Sequence, residues 1–536
     1  MTANIVLSLP EELHIRIMAK LDGRSLIRCA MTCKLLYETL RNSTLLKYRI
    51  QLHFDGLEDA GTSTSTTIPE IIDHLLQRRD AWFTQTWADP VYTSGSGTQY
   101  RNHRSSYRLG EDGFAVAIQK GNRLEIVWLP TARNAEGRRI EHDLSATPIS
   151  IYSMDPTQDV IAMLENFYRV PMSQDNVRIV RIYVRTLSGN TPHPLARRSV
   201  LQFTDVGTNS VGDSIHNPKL EISHNTLVLW TSDYIPRVLI WDWRTGELLT
   251  DVSFIAPCMN PPDDIHDFSL LGSSDFAFMT RPSGCGSIEL YKFVKHPIHG
   301  TAIQLATLNL PPLARDTPLD SLAIMAYTNP IYAHPSPHKL FVVDREEQIY
   351  VFKVEYEYYF KNTEYRRIVT VIMHVHQRIF MKYCARGGGG DKAAVDVPWE
   401  EWGPSNTAID TSIRIRGMSH GQLAICLPID KQFMNYNAIF TKLEIKNFSL
   451  SGVLAAKDAQ TIVSLGNHKP HGLLVESNII RVAEDPIFEN DVEGKLPYVL
   501  YHLRFEEGYS RMMICEEGVV GIMNTNEGSR LRVYPV

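Results

Sequence analysis

The densest helical pattern lies near the start of the chain. Leu9, Leu13, Ile17 and Leu21 recur every fourth residue and form one apolar stripe, with Ile15 and Met18 beside it. Ser8 and Glu11 stand at capping-box spacing and Pro10 falls in the first turn, so a helix starts there; Asp22 and Gly23 end it. A second helix is predicted from Arg24 to Met31 with Leu26, Ile27 and Ala30 inward, and Thr32 caps a third carrying Leu35, Leu36 and Leu40. Leu45, Leu46, Ile50 and Leu52 continue the spacing. So small a unit buries too little surface to offset chain entropy alone and offers more apolar residues than it can hide, so it wants a partner.

The pattern then changes twice. Gly61 to Thr67 is almost all Ser and Thr, which marks a boundary, and Ile68 to Trp87 reads as one amphipathic helix with Pro69 in its first turn. Trp82, Phe83 and Trp87 are expected to dock that helix on the domain after it. After about residue 105, short runs of β-branched and aromatic residues alternate with turn residues to the end of the chain. Paired runs include Phe114–Leu129, Val160–Leu164 with Val177–Leu187, Thr226–Trp230 with Arg237–Trp243, and Phe276–Met279 with Ser287–Phe293. They continue with Lys339–Val343 and Gln348–Val354, Ile368–Val375 and Arg378–Tyr383, Gln422–Leu427 and Ile439–Phe448, then Met512–Ile522 and Arg530–Tyr534.

Hairpins recurring every ~40–60 residues are the signature of a β-propeller of about seven blades, with six or eight open. A sandwich of this length is disfavoured, since such domains split beyond roughly 250 residues. The expected organisation is therefore mainly β: a helical module over 1–54, a linker with one helix over 55–104, and a propeller-like domain over 105–536.

Composition narrows the function classes. A chain of 536 residues with a net charge of -6 and no cluster of five basic residues is a poor match to nucleic acid or an anionic membrane. No apolar run approaches the ~18 residues of a membrane span, and no signal peptide precedes Leu9, which places the protein in the cytoplasm or nucleus. The seven cysteines are scattered without a C-x-x-C pair and read as reduced structural thiols. His374 and His376 share a strand face, but no third ligand accompanies them, so no metal or other cofactor is expected. Walker, dinucleotide, nucleophile-elbow and zincin motifs are absent, as are the Asp-box turns of propeller hydrolases, so the chain is read as a non-enzyme.

Two resemblances sharpen this. The order Ser8-Leu9-Pro10-Glu11-Glu12-Leu13, then Ile17, Leu21, Asp22, Leu26, Cys29 and Cys33-Lys34 resembles the F-box family over about 40 residues; Leu36, and Leu46 or Lys47, occupy positions where many F-boxes carry Trp. The texture of the segment is similar to the expanded F-box families of mushroom-forming fungi. Leu239 to Leu249, with Trp241-Asp242 followed by Thr245-Gly246, resembles the end of a WD repeat, where Trp fills the space between sheets and Gly supplies the turn. The F-box resemblance implies a substrate-recognition subunit of a Skp–cullin–F-box ubiquitin ligase. Leu9, Pro10, Leu13, Ile17, Leu21, Leu26 and Cys33 would then bind a Skp-type adaptor, and through it a cullin scaffold, while the propeller binds an unidentified target protein. Trp399 and Trp402, three apart in a stretch from Gly387 to Asn406 read as a long loop, are either aromatic anchors for that target or plugs between blades. The alternative whole-chain reading is a propeller scaffold capped by helices, without a ligase role.

Overall fold

The structure is a computed structural model. It describes residues 8–61, 66–84, 91–93, 106–109, 115–120, 122–128, 138–146, 149–165, 177–206, 218–231, 237–253, 267–271, 276–281, 284–294, 301–314, 317, 319–326, 339–359, 366–386, 394–411, 418–426, 440–463, 472–481, 487–515, 518–525 and 528–535. Trp87, Cys258 and residues 387–390 lie outside the described residues.

Four helices open the chain: α1 (Glu11–Met18), α2 (Gly23–Ala30), α3 (Lys34–Asn42) and α4 (Thr44–Phe54). Their starts follow short-range chemistry. Asp22 accepts from Ser25 N–H at 2.8 Å to cap α2, and Ser43 Oγ accepts from Leu46 N–H at 3.4 Å to cap α4. The expected capping box on α1 is replaced by a simpler start, because Pro10 is itself the N-cap and no side chain bonds there. Likewise Cys33, not Thr32, precedes α3; the Thr32 hydroxyl bonds back to Cys29 O at 2.7 Å. Met18, Leu26, Ala30, Leu36 and Leu46 form the core of this module. Helix α5 (Ile68–Thr84) opens on a side-chain cap in which Glu70 accepts from both Thr67 N–H and Oγ1, at 2.7 and 2.9 Å.

The rest is mainly β. Among the described residues there are seven sheets of four or five strands. The first to the fourth each contain four sequential antiparallel strands, beginning at Ser106, Ile149, Lys219 and Asp267. The fifth runs Leu319–Ala326, Ile349–Tyr359, Arg366–His376, Thr407–Asp410, and the sixth is built on Met418–His420, Leu423–Cys426, Phe440–Asn447, Tyr498–Tyr509. The seventh has three strands from the end of the chain, and its fourth is Val91–Thr93, paired antiparallel with Gly528–Pro535 so that Val91 faces Val533. The segment 55–104, read as a linker with one helix, thus also supplies strands to the β-domain.

Alternation along each strand feeds two different cores. Ile126 of the first sheet packs with Met154 of the second, while its neighbour Val127 packs with Val520 and Ile522 of the seventh. The remaining neighbours share clusters in order: Val184 with Leu229, Val238 with Met279, Leu290 with Phe352, Val351 with Ala424, and Ile445 with Ile514. The WD-like segment sits as its residues require. Trp241 and Trp243 are buried in the cluster between the second and third sheets, and Gly246 takes φ +76 in the turn.

Three expected hairpin details are corrected. Arg378–Tyr383 is not a strand but part of helix α6 (Arg378–Arg386), which buries Ile379, Phe380, Tyr383 and Cys384 at helical spacing. Phe341–Val343 pairs not with the next run in the chain but with Leu57–Asp59, almost 300 residues earlier. The stretch before Thr407 is not all loop, since Val395–Val397 adds a parallel strand to the fourth sheet and Trp399–Asn406 is helix α7.

Candidate functional site

The side of the helical module turned away from the β-domain is its notable feature. Helix α1 has two apolar faces. Met18 and His14 are buried, while Leu13 and Ile17, on the predicted stripe, are 41% and 49% exposed. Leu9 and Leu21 at the ends of the stripe are half-buried, and Pro10 is exposed. Helices α2 and α3 add Leu35, which spacing placed with Leu36 and Leu40 but which is 41% exposed, and Met31 and Tyr37, exposed apolar residues that spacing did not single out. Leu26 does not share this face. At 0% exposure it lies in the module core, so it holds the helices together rather than meeting a partner, and Cys33 is half-buried beside it as the N-cap of α3. Five apolar side chains are thus left exposed on this small unit, and apolar surface exposed in this way marks interaction sites.

The opposite side of the module is fastened to the β-domain. Tyr48, Leu52, Leu57, Ile71 and Leu75 close on Leu340 in one cluster, joining α4 and α5 to the connection between the first two strands of the fifth sheet. Gly56 turns the chain at φ +64, a left-handed conformation that favours glycine, with the amide end of Gln422 packed against it. Next to it, the Asp55 carboxylate accepts from Arg79 Nε and Nη2 of α5, at 3.1 and 3.0 Å, and from Ser451 Oγ of helix α8 (Leu450–Val463) in the sixth sheet's connection. One carboxylate therefore ties the module, the linker helix and the β-domain together. Asp55→Asn keeps the shape but loses the charge-assisted fork, and is expected to cost about 2 kcal/mol. Urea unfolding of the full chain measures this, and amide exchange at Leu57–Asp59 should rise with it; unchanged values would show that the knot carries no load.

A cavity of about 250 Å3 lies at this joint, between α5, Gly56 and α8, with Trp82, Gln422 and Tyr501 in its wall. Below it, Gln422 Nε2 donates to Glu347 Oε2 at 2.9 Å, and His376 Nε2 meets the same oxygen at 3.0 Å. Burial alone would raise Glu347, but the His376 hydrogen bond and the charges of His376, Arg378 and His53 outweigh it and hold the carboxyl at about 2, against an ordinary 4.5. His376 is itself pushed down by burial, and Arg378 Nη2 stands 2.6 Å from the same Nε2, so imidazole, guanidinium and carboxylate form one cluster. Because the folded value lies below the unfolded one, this stabilisation is complete above pH 4.5 and is lost as pH falls towards about 2. Glu347→Gln is expected to flatten that acid limb of a urea-midpoint profile; parallel limbs for the two proteins would refute the assignment.

The other sequence candidates are not brought together. Trp399 and Trp402, 5% and 0% exposed, pack edge-on at 5.1 Å in the core between the fourth and fifth sheets, where Trp402 Nε1 donates to Asn309 O at 2.8 Å. Both are plugs rather than anchors offered to solvent. His374 is wholly buried with Cys426 Sγ 3.8 Å away, and among the described residues no three His, Cys, Asp or Glu are grouped to hold a metal.

Residues 6–52 match the F-box-like family model, a span that coincides with the helical module. No curated protein matches the chain. Similar solved structures include the WD40 domain of SCAP from fission yeast, at 9% identity, covering 80% of this chain and 84% of that one with a TM-score of 0.30. A chain of the Mitotic Checkpoint Complex is similar at 8% identity, 85% and 96% coverage and a TM-score of 0.33. Sqt1 from Chaetomium thermophilum matches at 10% identity, 79% and 81% coverage and a TM-score of 0.31. Likenesses this slight carry no weight beside the strand order itself.

Proposed function

We propose that this chain is the substrate-recognition subunit of a Skp–cullin–F-box ubiquitin ligase, working in the cytoplasm or nucleus. The observation that carries the reading is the coincidence of the F-box-like match over 6–52 with a helical module that leaves Leu13 and Ile17 exposed on one side and is fastened to a large β-domain on the other. The exposed side would bind a Skp-type adaptor through Leu9, Pro10, Leu13, Ile17 and Leu21, and the adaptor would bring the cullin.

The β-domain is read as a closed seven-bladed propeller. Supporting this are seven successive sheets, a shared apolar cluster at each neighbouring pair, Val127 of the first sheet in the cluster of the seventh, and a last sheet completed by Val91–Thr93. Pairing the two ends of the domain in one sheet leaves no open edge there to invite a foreign strand. On this reading the chain does no chemistry of its own. It raises the concentration of a bound target beside the ubiquitin donor, and a fastened joint keeps that spacing narrow in distribution.

Co-expression with a Skp-type adaptor tests the proposal. Retention of the adaptor on the tagged full chain through gel filtration is expected. A scaffold merely capped by its helices would retain none, and that result would end the ligase reading.

A further inference from the structure

Away from the joint, the second and third sheets meet at a set of pinned connections. Gln158 Nε2 and Trp243 Nε1 both donate to His224 O, at 3.0 and 2.7 Å, and Arg244 Nη2 donates to Gln158 Oε1 at 2.7 Å. The connection between Thr186 and Ser199 lies over them. Its His193 ring stands edge-on to Trp243 at 4.9 Å and bonds Gln158 O at 3.1 Å, and Arg197 N–H donates to Arg244 O at 2.8 Å. Pro192 and Pro194 stiffen it further.

Four arginines lie in or beside these connections, Arg185 on the strand Val177–Thr186 that leads into one of them. Arg197 and Arg198 are exposed, Arg198 with its stem against Gly246; Arg185 and Arg244 are half-buried, resting over Tyr183 and Trp243. Among the described residues none of the four has a carboxylate within ion-pair distance. The nearby acids are otherwise engaged or apart: Asp159 accepts from Ser188 N and Oγ, Asp242 accepts from the Arg244 and Thr245 amides, and Glu247 is exposed on the next strand. Leu195, two residues before Arg197 on the same connection, is 56% exposed. Arg185 and Arg244 already donate to Asn190 O and Gln158 Oε1, so Arg197 and Arg198 are the two exposed cations, and the backbone that carries them is pinned before any partner arrives.

We propose that this surface docks a carboxylate-rich segment of a partner protein, with guanidiniums taking its acids in bidentate fashion and Leu195 taking one apolar side chain. That the partner is a ubiquitination target rests on the receptor reading above; the acidic recognition does not. Two exposed guanidiniums beside two half-buried ones suit a short acidic peptide, whereas a nucleic-acid backbone needs a longer basic track than this acidic chain offers.

Fluorescence anisotropy on the full chain tests it, using a labelled peptide of six Glu around one Leu and its Lys counterpart. Saturable binding of the Glu peptide alone is expected, weakening with salt, and Arg197→Glu with Arg198→Glu should reduce affinity at least about tenfold without a change in melting. No binding of the Glu peptide, equal binding by the double variant, or displacement by single-stranded RNA at lower concentration than by unlabelled peptide would each overturn the proposal. Adaptor retention, measured on the same variant, reports separately on the receptor reading and should be unaffected.

Discussion

On the receptor reading, a chain carrying Leu13→Asp and Ile17→Asp is expected to fail to retain a Skp-type adaptor while remaining folded. In the free chain both residues are 41–49% exposed, so each charge stays hydrated and the cost to stability should be within about 0.5 kcal/mol. Seated against the adaptor, the same charges would be stripped of water without a partner, at roughly 2 kcal/mol or more each, on top of the burial of two apolar side chains forgone. Even if the two effects do not add fully, the sum corresponds to a loss of at least about 100-fold in affinity. Retention on co-purification, with melting curves in parallel, reads this directly. Leu26→Asp is the instructive control, because a charge at a position with 0% exposure should unfold the module instead of leaving a folded, non-binding protein. Unchanged retention by the folded double variant would remove α1 from the interface.

The residues that make the module legible are local. A stripe of every fourth residue, Asp22 before a helix and Ser43 before another specify their neighbours within one turn, and the structure adds only which side faces out. The hairpins are legible for the same reason, since Thr226–Thr231 and Arg237–Asp242 are joined by a short connection and are rich in β-branched and aromatic residues. Pairing across hundreds of residues is not legible. Nothing in Leu57–Asp59 or Val91–Thr93 names Phe341–Val343 or Gly528–Pro535 as a partner, because three-residue strands carry almost no periodic signal. Helix α6 passes for a strand because Ile379, Phe380 and Tyr383 belong to types that favour strands, while their spacing fits a helix just as well. Helix α8 is hidden inside a region of strong β character, although Ser449 and the Leu450–Val463 run after it are the available cue. At α7, Gly403 and Pro404 suggest a loop, yet two Trp residues three apart are one helical turn apart and carry the helical signal.

Trp402→Ala is expected to destabilise the β-domain by about 4 kcal/mol, twice the effect expected of Asp55→Asn at the joint. Three losses combine there. The indole is fully buried, so its removal leaves a cavity in the core shared by the fourth and fifth sheets. Asn309 O, which accepts from Nε1 at 2.8 Å, is left without that donor, and the edge-on contact with Trp399 at 5.1 Å disappears. The site can relax little, since Gly403 lies so close to the Trp399 ring that even a Cβ would sit 2.4 Å from it. Trp402→Phe separates the contributions: most of the apolar volume remains and the carbonyl is orphaned, which should cost about 1–3 kcal/mol. Urea unfolding of both variants decides between plug and anchor. A plug lowers the midpoint in the order Ala below Phe below wild type, whereas a recognition residue would leave both midpoints at the wild-type value, and that outcome would reopen α7 as part of the target-binding surface.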